Sequence, residues 1–182
     1  LLAVVAVFYF MGGMKGCAGG GSGDVVSQMI QLATGANFSP ELYDKTEVFE
    51  PLADNVNAPL PEKTSLQQFA PQRRNQGQQG SCVAWASAYA ARSIVQAAAT
   101  KQDPDQSAFS PSFMYNQIKI DNSDCQGSYI QRAMEQMQGG GALPFSQFAY
   151  TDQSCGKQPS GEDLQNAKQF RIKGYQRLTQ GD

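Results

Sequence analysis

The sequence contains no histidine. Histidine is the usual general base and the usual partner of a nucleophilic cysteine or serine, so no such pair can be completed within these 182 residues. It is also a common zinc ligand, and the four cysteines, Cys17, Cys82, Cys125 and Cys155, show no CxxC spacing. No metal and no cofactor is therefore expected. Charge is scarce, at 16% of residues, and nearly balanced. Fourteen basic against sixteen acidic side chains leave a net charge of -2, which gives no electrostatic footprint for nucleic acid. With 41% hydrophobic residues the composition is globular, and the length suits one domain plus an appendage. The chain starts at Leu1 and stops at Asp182 without a closing tail, so both ends are expected to be truncations of something longer.

Long apolar runs are also lacking, apart from the uncharged stretch Leu1 to Met14. That stretch is shorter than the ~20 residues that span a bilayer but suits the ~7–15 apolar residues of a signal-peptide core. Lys15, Gly16 and Cys17 follow, then the flexible Ala18-Gly-Gly-Gly-Ser-Gly23. A cysteine between an apolar core and a Gly/Ser tether resembles a bacterial lipoprotein signal, which makes Cys17 a lipidation candidate. A cleaved signal, a signal-anchor helix and a buried apolar helix are the alternatives. All but the last imply export, with the N-terminus at a membrane and the protein periplasmic or at the cell surface.

Residues 24–33 place Val25, Met29 and Leu32 at helical spacing with Val26 and Ile30 beside them, which predicts a short amphipathic helix ended by Gly35. From Asn37 to Pro61 the prolines at 40, 51, 59 and 61 and the lack of a period predict an extended tether. From about Lys63 helices dominate. Ser81 is placed to cap a buried helix running from Cys82 to Ala99. Ser110 and Pro111 signal a second helix start. A third helix is predicted over Ser128–Met137, stopped by Gly139, Gly140 and Gly141. A short fourth follows Ser160, with Glu162 and Asp163 in its first turn and Lys168 in its last. The alternation in Phe170–Tyr175 predicts a strand. The chain thus divides into a signal or anchor segment (1–17), a tether with a short helix (18–62) and an α-rich lobe leading into a β region (63–182).

A thiolate is the reactive form of cysteine, and the N–H groups and dipole at a helix N-terminus favour negative charge. Cys82 is placed for that help. Gly77 and Gly80 before it allow a sharp turn and close approach of a substrate, and Gln76 offers an amide donor for an oxyanion. The bland alternative is an inert core cysteine beside a glycine-rich turn, which is the commoner fate of a single cysteine next to Ala and Trp.

The segment Asn75-Gln-Gly-Gln-Gln-Gly-Ser-Cys82 resembles the active-site segment of the papain (C1) family of cysteine peptidases, with its C-G-[SA]-C-[WY] signature. Gly80, Ser81 and Cys82 match. Gln79 stands where papain and the cathepsins have a disulfide cysteine, and Val83 where they have tryptophan, which is similar to the divergent bacterial branch. Further landmarks follow in order: Phe109–Tyr115 is similar to the family's second helix start, Cys125–Tyr129 to its Cys-x-Gly-Gly segment, Gly141–Tyr150 to its Tyr-Pro-Tyr turn, and Arg171–Tyr175 to the strand leaving the first lobe.

The resemblance implies an α+β papain-like fold, represented here by the helical lobe and the start of the β-rich lobe. It implies that Cys82 is the nucleophile, that Gln76 helps form the oxyanion hole, and that Gly80, Ser81, Gly127 and Ser128 bind an extended polypeptide substrate. The partner His and Asn lie about 130–150 residues after the cysteine in this family. They are therefore expected from a C-terminal lobe outside these residues, and the 182-residue chain alone is expected to be inactive. Cys125 and Cys155 correspond to family disulfide cysteines that have each lost their usual partner. They are expected to bond to each other, stabilising the fold by about 3 kcal/mol, with two buried thiols as the alternative. The Pro-rich stretch after Cys17 is short and has no long helix, so a tether is expected in place of an inhibitory propeptide. The function expected is an exported, membrane-tethered cysteine endopeptidase. A catalytically inactive binding or assembly module and a thioester-forming amide transferase are the alternatives.

Overall fold

The structure is a computed structural model and describes residues 35–50, 62–120 and 125–178. The apolar run, Cys17 and the helix predicted over 24–33 lie outside the described residues. Those that are described form short helices around one long helical rod, with a sheet of only two short strands.

The rod begins as α2 (Cys82–Ala84), widens into a π-helical stretch (Trp85–Arg92) and continues as α3 (Ser93–Thr100). Its continuity matches the sequence expectation, but the π-helical winding was not foreseen. The run Ala84, Ser87 and Ala88 lets neighbouring elements approach closely, and all three are buried. The two buried serines cost little because each hydroxyl is satisfied locally. Ser87 donates to the Val83 carbonyl, and Ser93 donates to the Ala88 carbonyl while accepting the Phe109 N–H.

Helix α4 (Pro111–Ile118) packs across this rod. Ser110 accepts the Phe113 N–H and Pro111 occupies the first turn, as the sequence signalled. Met114, Tyr115 and Ile118 are buried, and with Phe109, Ala133 and Met137 they form the core that holds the rod in place, while Phe113 is buried in a second cluster with Leu143, Phe148 and Ala167. Helix α5 (Ile130–Gly139) starts two residues later than predicted, because Ser128 and Tyr129 form strand β2. Helix α6 (Gly161–Ala167) carries a full capping box in which Ser160 and Asp163 satisfy each other's backbone N–H groups.

Two expectations fail. The predicted strand at 170–175 is absent: residues 168–170 make a 3-10 turn, and only Arg177 further on makes a single parallel bridge, with Val48. Alternation needs a neighbouring strand to become a sheet, and among the described residues the only segment offered here is 47–49. The stretch predicted as an extended tether instead contains β1 (Ala36–Asn37) and α1 (Pro40–Lys45). Ser39 caps α1 by accepting the Leu42 N–H, and Pro40 sits in the first turn. Arg177 secures α1 to the lobe through a 3.0 Å ion pair with Asp44 and by stacking on Tyr43.

Candidate active site

Cys82 opens the rod, so the electropositive end of that helix faces its thiol. It remains a thiol, whereas Cys125 and Cys155 are joined by a disulfide, as expected. The Gln76 side-chain amide donates to Cys82 Sγ at 3.0 Å and to the Gln79 carbonyl at 2.8 Å, which fixes its orientation. Gln76 is only 7% exposed, so this donor is largely shielded from water.

The loop between Gln76 and Cys82 is shaped by its glycines. Gly77 adopts φ +63°, and a β-carbon there would collide with Asp152. Gly80 lies against the backbone of residues 125–127, where a β-carbon would come within 2.8 Å of the Cys125 carbonyl. Its N–H donates to that same carbonyl at 3.3 Å. Ser81 precedes the helix, but its hydroxyl makes no cap. It pairs instead with the Tyr150 phenol at 2.8 Å, correcting the capping role expected from sequence. Gln79 is buried, and its amide donates to the Thr151 carbonyl.

The segment 125–128 forms the wall beside the thiol. The disulfide holds one end, the Gly127 carbonyl accepts the Ile120 N–H, and the Tyr115 phenol donates to the Gln126 carbonyl. Ser128, which stands where the family motif has its second glycine, turns its hydroxyl inward to the Ile118 carbonyl. Its N–H therefore remains on the open side, where it donates to the Gly35 carbonyl at 2.9 Å.

That last bond exposes a feature the sequence did not reveal. Strand β1 pairs in parallel with β2, Ala36 opposite Ser128 and Asn37 opposite Tyr129. A β-carbon on Gly35 would lie 3.0 Å from Cys82 Sγ. Residues 35–37 thus run along the wall and up to the thiol, where the sequence predicts the end of a short helix and the start of a tether. Only Gly35, placed at φ +137°, hinted at a special backbone.

Two phenols lie near the thiol, Tyr115 buried and Tyr150 half-buried. Burial raises the pKa of Tyr115, with the charges of Tyr150 and Cys82 adding to it. Burial likewise raises that of Tyr150, against the lowering effect of its Ser81 hydrogen bond. Among the described residues no cluster of three His, Cys, Asp or Glu side chains could hold a metal ion, and no helix is long and apolar enough to cross a membrane. An open groove of about 720 Å³ lined by Lys45, Phe49, Tyr175 and Leu178 lies elsewhere and does not include Cys82.

Helices packed around a thiol-bearing helix start, with a backbone wall beside the thiol, make this the helical lobe of a papain-like fold. The chain belongs to the papain family of cysteine proteases, whose model matches residues 60–182. Among solved structures it is similar to xylellain, a cysteine protease from Xylella fastidiosa, with a TM-score of 0.62 and 23% sequence identity. The match covers 81% of this chain and 59% of xylellain, so the chain spans well under two thirds of that protein. No curated protein matches the sequence.

Proposed function

We propose that the chain carries the nucleophile and the oxyanion hole of a cysteine endopeptidase. The observation behind this is the Gln76 amide held 3.0 Å from Cys82 Sγ at a helix N-terminus. The sulfur attacks the peptide carbonyl carbon, and the carbonyl oxygen takes up negative charge between the Gln76 amide and the Cys82 backbone N–H. Collapse expels the amine and leaves a Cys82 thioester, which water then hydrolyses. The proton taken from the thiol and given to the amine needs an imidazole, and with no histidine in the sequence that group comes from a further lobe together with its orienting Asn.

The wall at Gly127 and Ser128 suits an extended substrate backbone. Its engagement by residues 35–37 supports that role, since it already holds an extended chain by a backbone hydrogen bond. Gly80 and Ser81 then form the floor that carries the nucleophile. Export and tethering through the N-terminal segment, with Cys17 as the lipid-bearing residue, are supported by the apolar run and by the Cys125–Cys155 disulfide, which persists in oxidising compartments.

The test is the full-length protein with peptide substrates, beside Cys82→Ala. Turnover and iodoacetamide labelling at this position should both vanish in the variant. Turnover that survives in Cys82→Ala removes the nucleophile assignment. An amine acceptor added to the same assay separates hydrolysis from amide transfer, because a transferase yields the aminolysis product. Membrane fractionation of wild type against Cys17→Ser tests the tether, and an unchanged distribution removes the lipid anchor.

A further inference from the structure

The loop that bears Gln76 and Cys82 is closed by a residue far from it in sequence. Tyr150 donates its phenolic proton to the Gln76 carbonyl at 2.7 Å and pairs with the Ser81 hydroxyl at 2.8 Å. A phenol has one proton and a carbonyl can only accept. The proton on Tyr150 is therefore spent on Gln76, and the Ser81 hydroxyl must be the donor to the phenol oxygen. A single chain results, from the Ser81 hydroxyl through the Tyr150 phenol to the Gln76 carbonyl, and such chains strengthen each member.

Its two ends are the residue bearing the amide donor and the residue just before the nucleophile. The Tyr150 ring is itself held edge-on against Trp85, with ring centres 4.7 Å apart, so the phenol is anchored to the same rod that starts at Cys82. We infer that Tyr150 is a positioning residue for oxyanion stabilisation, setting the Gln76 amide relative to the Cys82 backbone N–H without touching substrate. This rests on the acyl-transfer role proposed above. The phenol bonds to the Gln76 backbone, whereas the Gln76 amide is aimed separately by the Gln79 carbonyl. Losing the phenol therefore displaces the oxyanion donor while leaving the thiol at its helix start.

The experiment compares wild type and Tyr150→Phe in the full-length protein with three probes. These are a peptide amide substrate, the peptide aldehyde of the same sequence, and iodoacetamide. The aldehyde adds the Cys82 sulfur to its carbonyl carbon and creates an oxyanion, whereas alkylation by iodoacetamide creates none. The expected result is a kcat lowered about tenfold with KM held within about twofold, and aldehyde inhibition weakened by a similar factor. Iodoacetamide labelling of Cys82 should stay at the wild-type rate. Wild-type kcat and aldehyde affinity in Tyr150→Phe overturn the inference. So does a fall in iodoacetamide labelling parallel to kcat, which would mark a merely structural role. If Tyr150→Phe does not fold, Ser81→Ala breaks the same chain at its other end and should give the same split between aldehyde and iodoacetamide. A wild-type protein with no Cys82-dependent turnover or aldehyde capture overturns the acyl-transfer proposal itself, an outcome distinct from wild-type behaviour of the variant.

Discussion

Gly35 stands so close to Cys82 that a β-carbon on it would lie 3.0 Å from Sγ and 3.1 Å from the Gly80 carbonyl oxygen. The backbone of residue 35 thus covers the thiol, and the Ser128 N–H holds it there. On the substrate path proposed above, an extended peptide aligned on Gly127 and Ser128 would have to replace residues 35–37. Gly35→Val meets both the sulfur and a backbone that cannot yield, at a φ that a β-branched residue rarely adopts. The expected outcome is release of β1 and several-fold faster labelling of Cys82 by a bulky maleimide. Labelling at the wild-type rate would mean that the segment does not shield the thiol.

Gln76 supplies both a bond within the loop and the donor beside the thiol through one side-chain amide. Gln76→Glu keeps the shape but removes that amide, and with it both bonds. Gln76→Ala removes the side chain as well, and each costs about 1 kcal/mol of lost loop hydrogen bonding. In the full-length protein both should lower kcat by about 100-fold or more, with KM little changed. A kcat within about threefold of wild type in Gln76→Glu would remove Gln76 from the oxyanion hole.

Much of this lobe was legible from sequence because its signals are local. Ser110 with Pro111, and Ser160 with Asp163, define helix starts through bonds spanning three residues, and both formed as expected. The same Ser-Pro signal at Ser39 and Pro40 starts α1, although the surrounding prolines by themselves point to a tether. Cys82 and Gln76 were legible as a motif, and their contact is again local. What stayed hidden depends on long-range closure. The docking of Gly35 on Ser128, the Tyr150 bridge to Gln76 and the pairing of Val48 with Arg177 join residues far apart in sequence, and no spacing encodes them. The predicted strand at 170–175 failed for the converse reason, since alternation is local but a strand is made by its neighbour.

The disulfide bears on stability and on the wall of the site together, because the carbonyl of Cys125 accepts from Gly80 two residues before Cys82. Replacing Cys125 and Cys155 by Ala should cost about 3 kcal/mol, read as a lower denaturant midpoint. It should also lower kcat by loosening the floor under Ser81 and Cys82. Equal midpoints with and without reductant in the wild type would show that the bridge contributes nothing to stability.

Three buried or half-buried phenols give the lobe a defined alkaline limit. Burial raises the pKa of Tyr89, Tyr115 and Tyr150 above the ordinary phenol value of 10.0, because each neutral hydroxyl is easier to keep in the interior than its anion. In the unfolded chain the same groups ionise near 10.0, so the folded state binds more protons than the unfolded state above that pH. Their contribution is therefore fully present below about pH 10 and is lost as pH rises through the raised folded values. Near-ultraviolet absorbance should show a class of phenols that ionises later in the folded protein than in guanidinium, and ionises together with unfolding. Tyr150→Phe should remove one phenol from that late class, and an unchanged late amplitude would mean that Tyr150 is not among the protected groups.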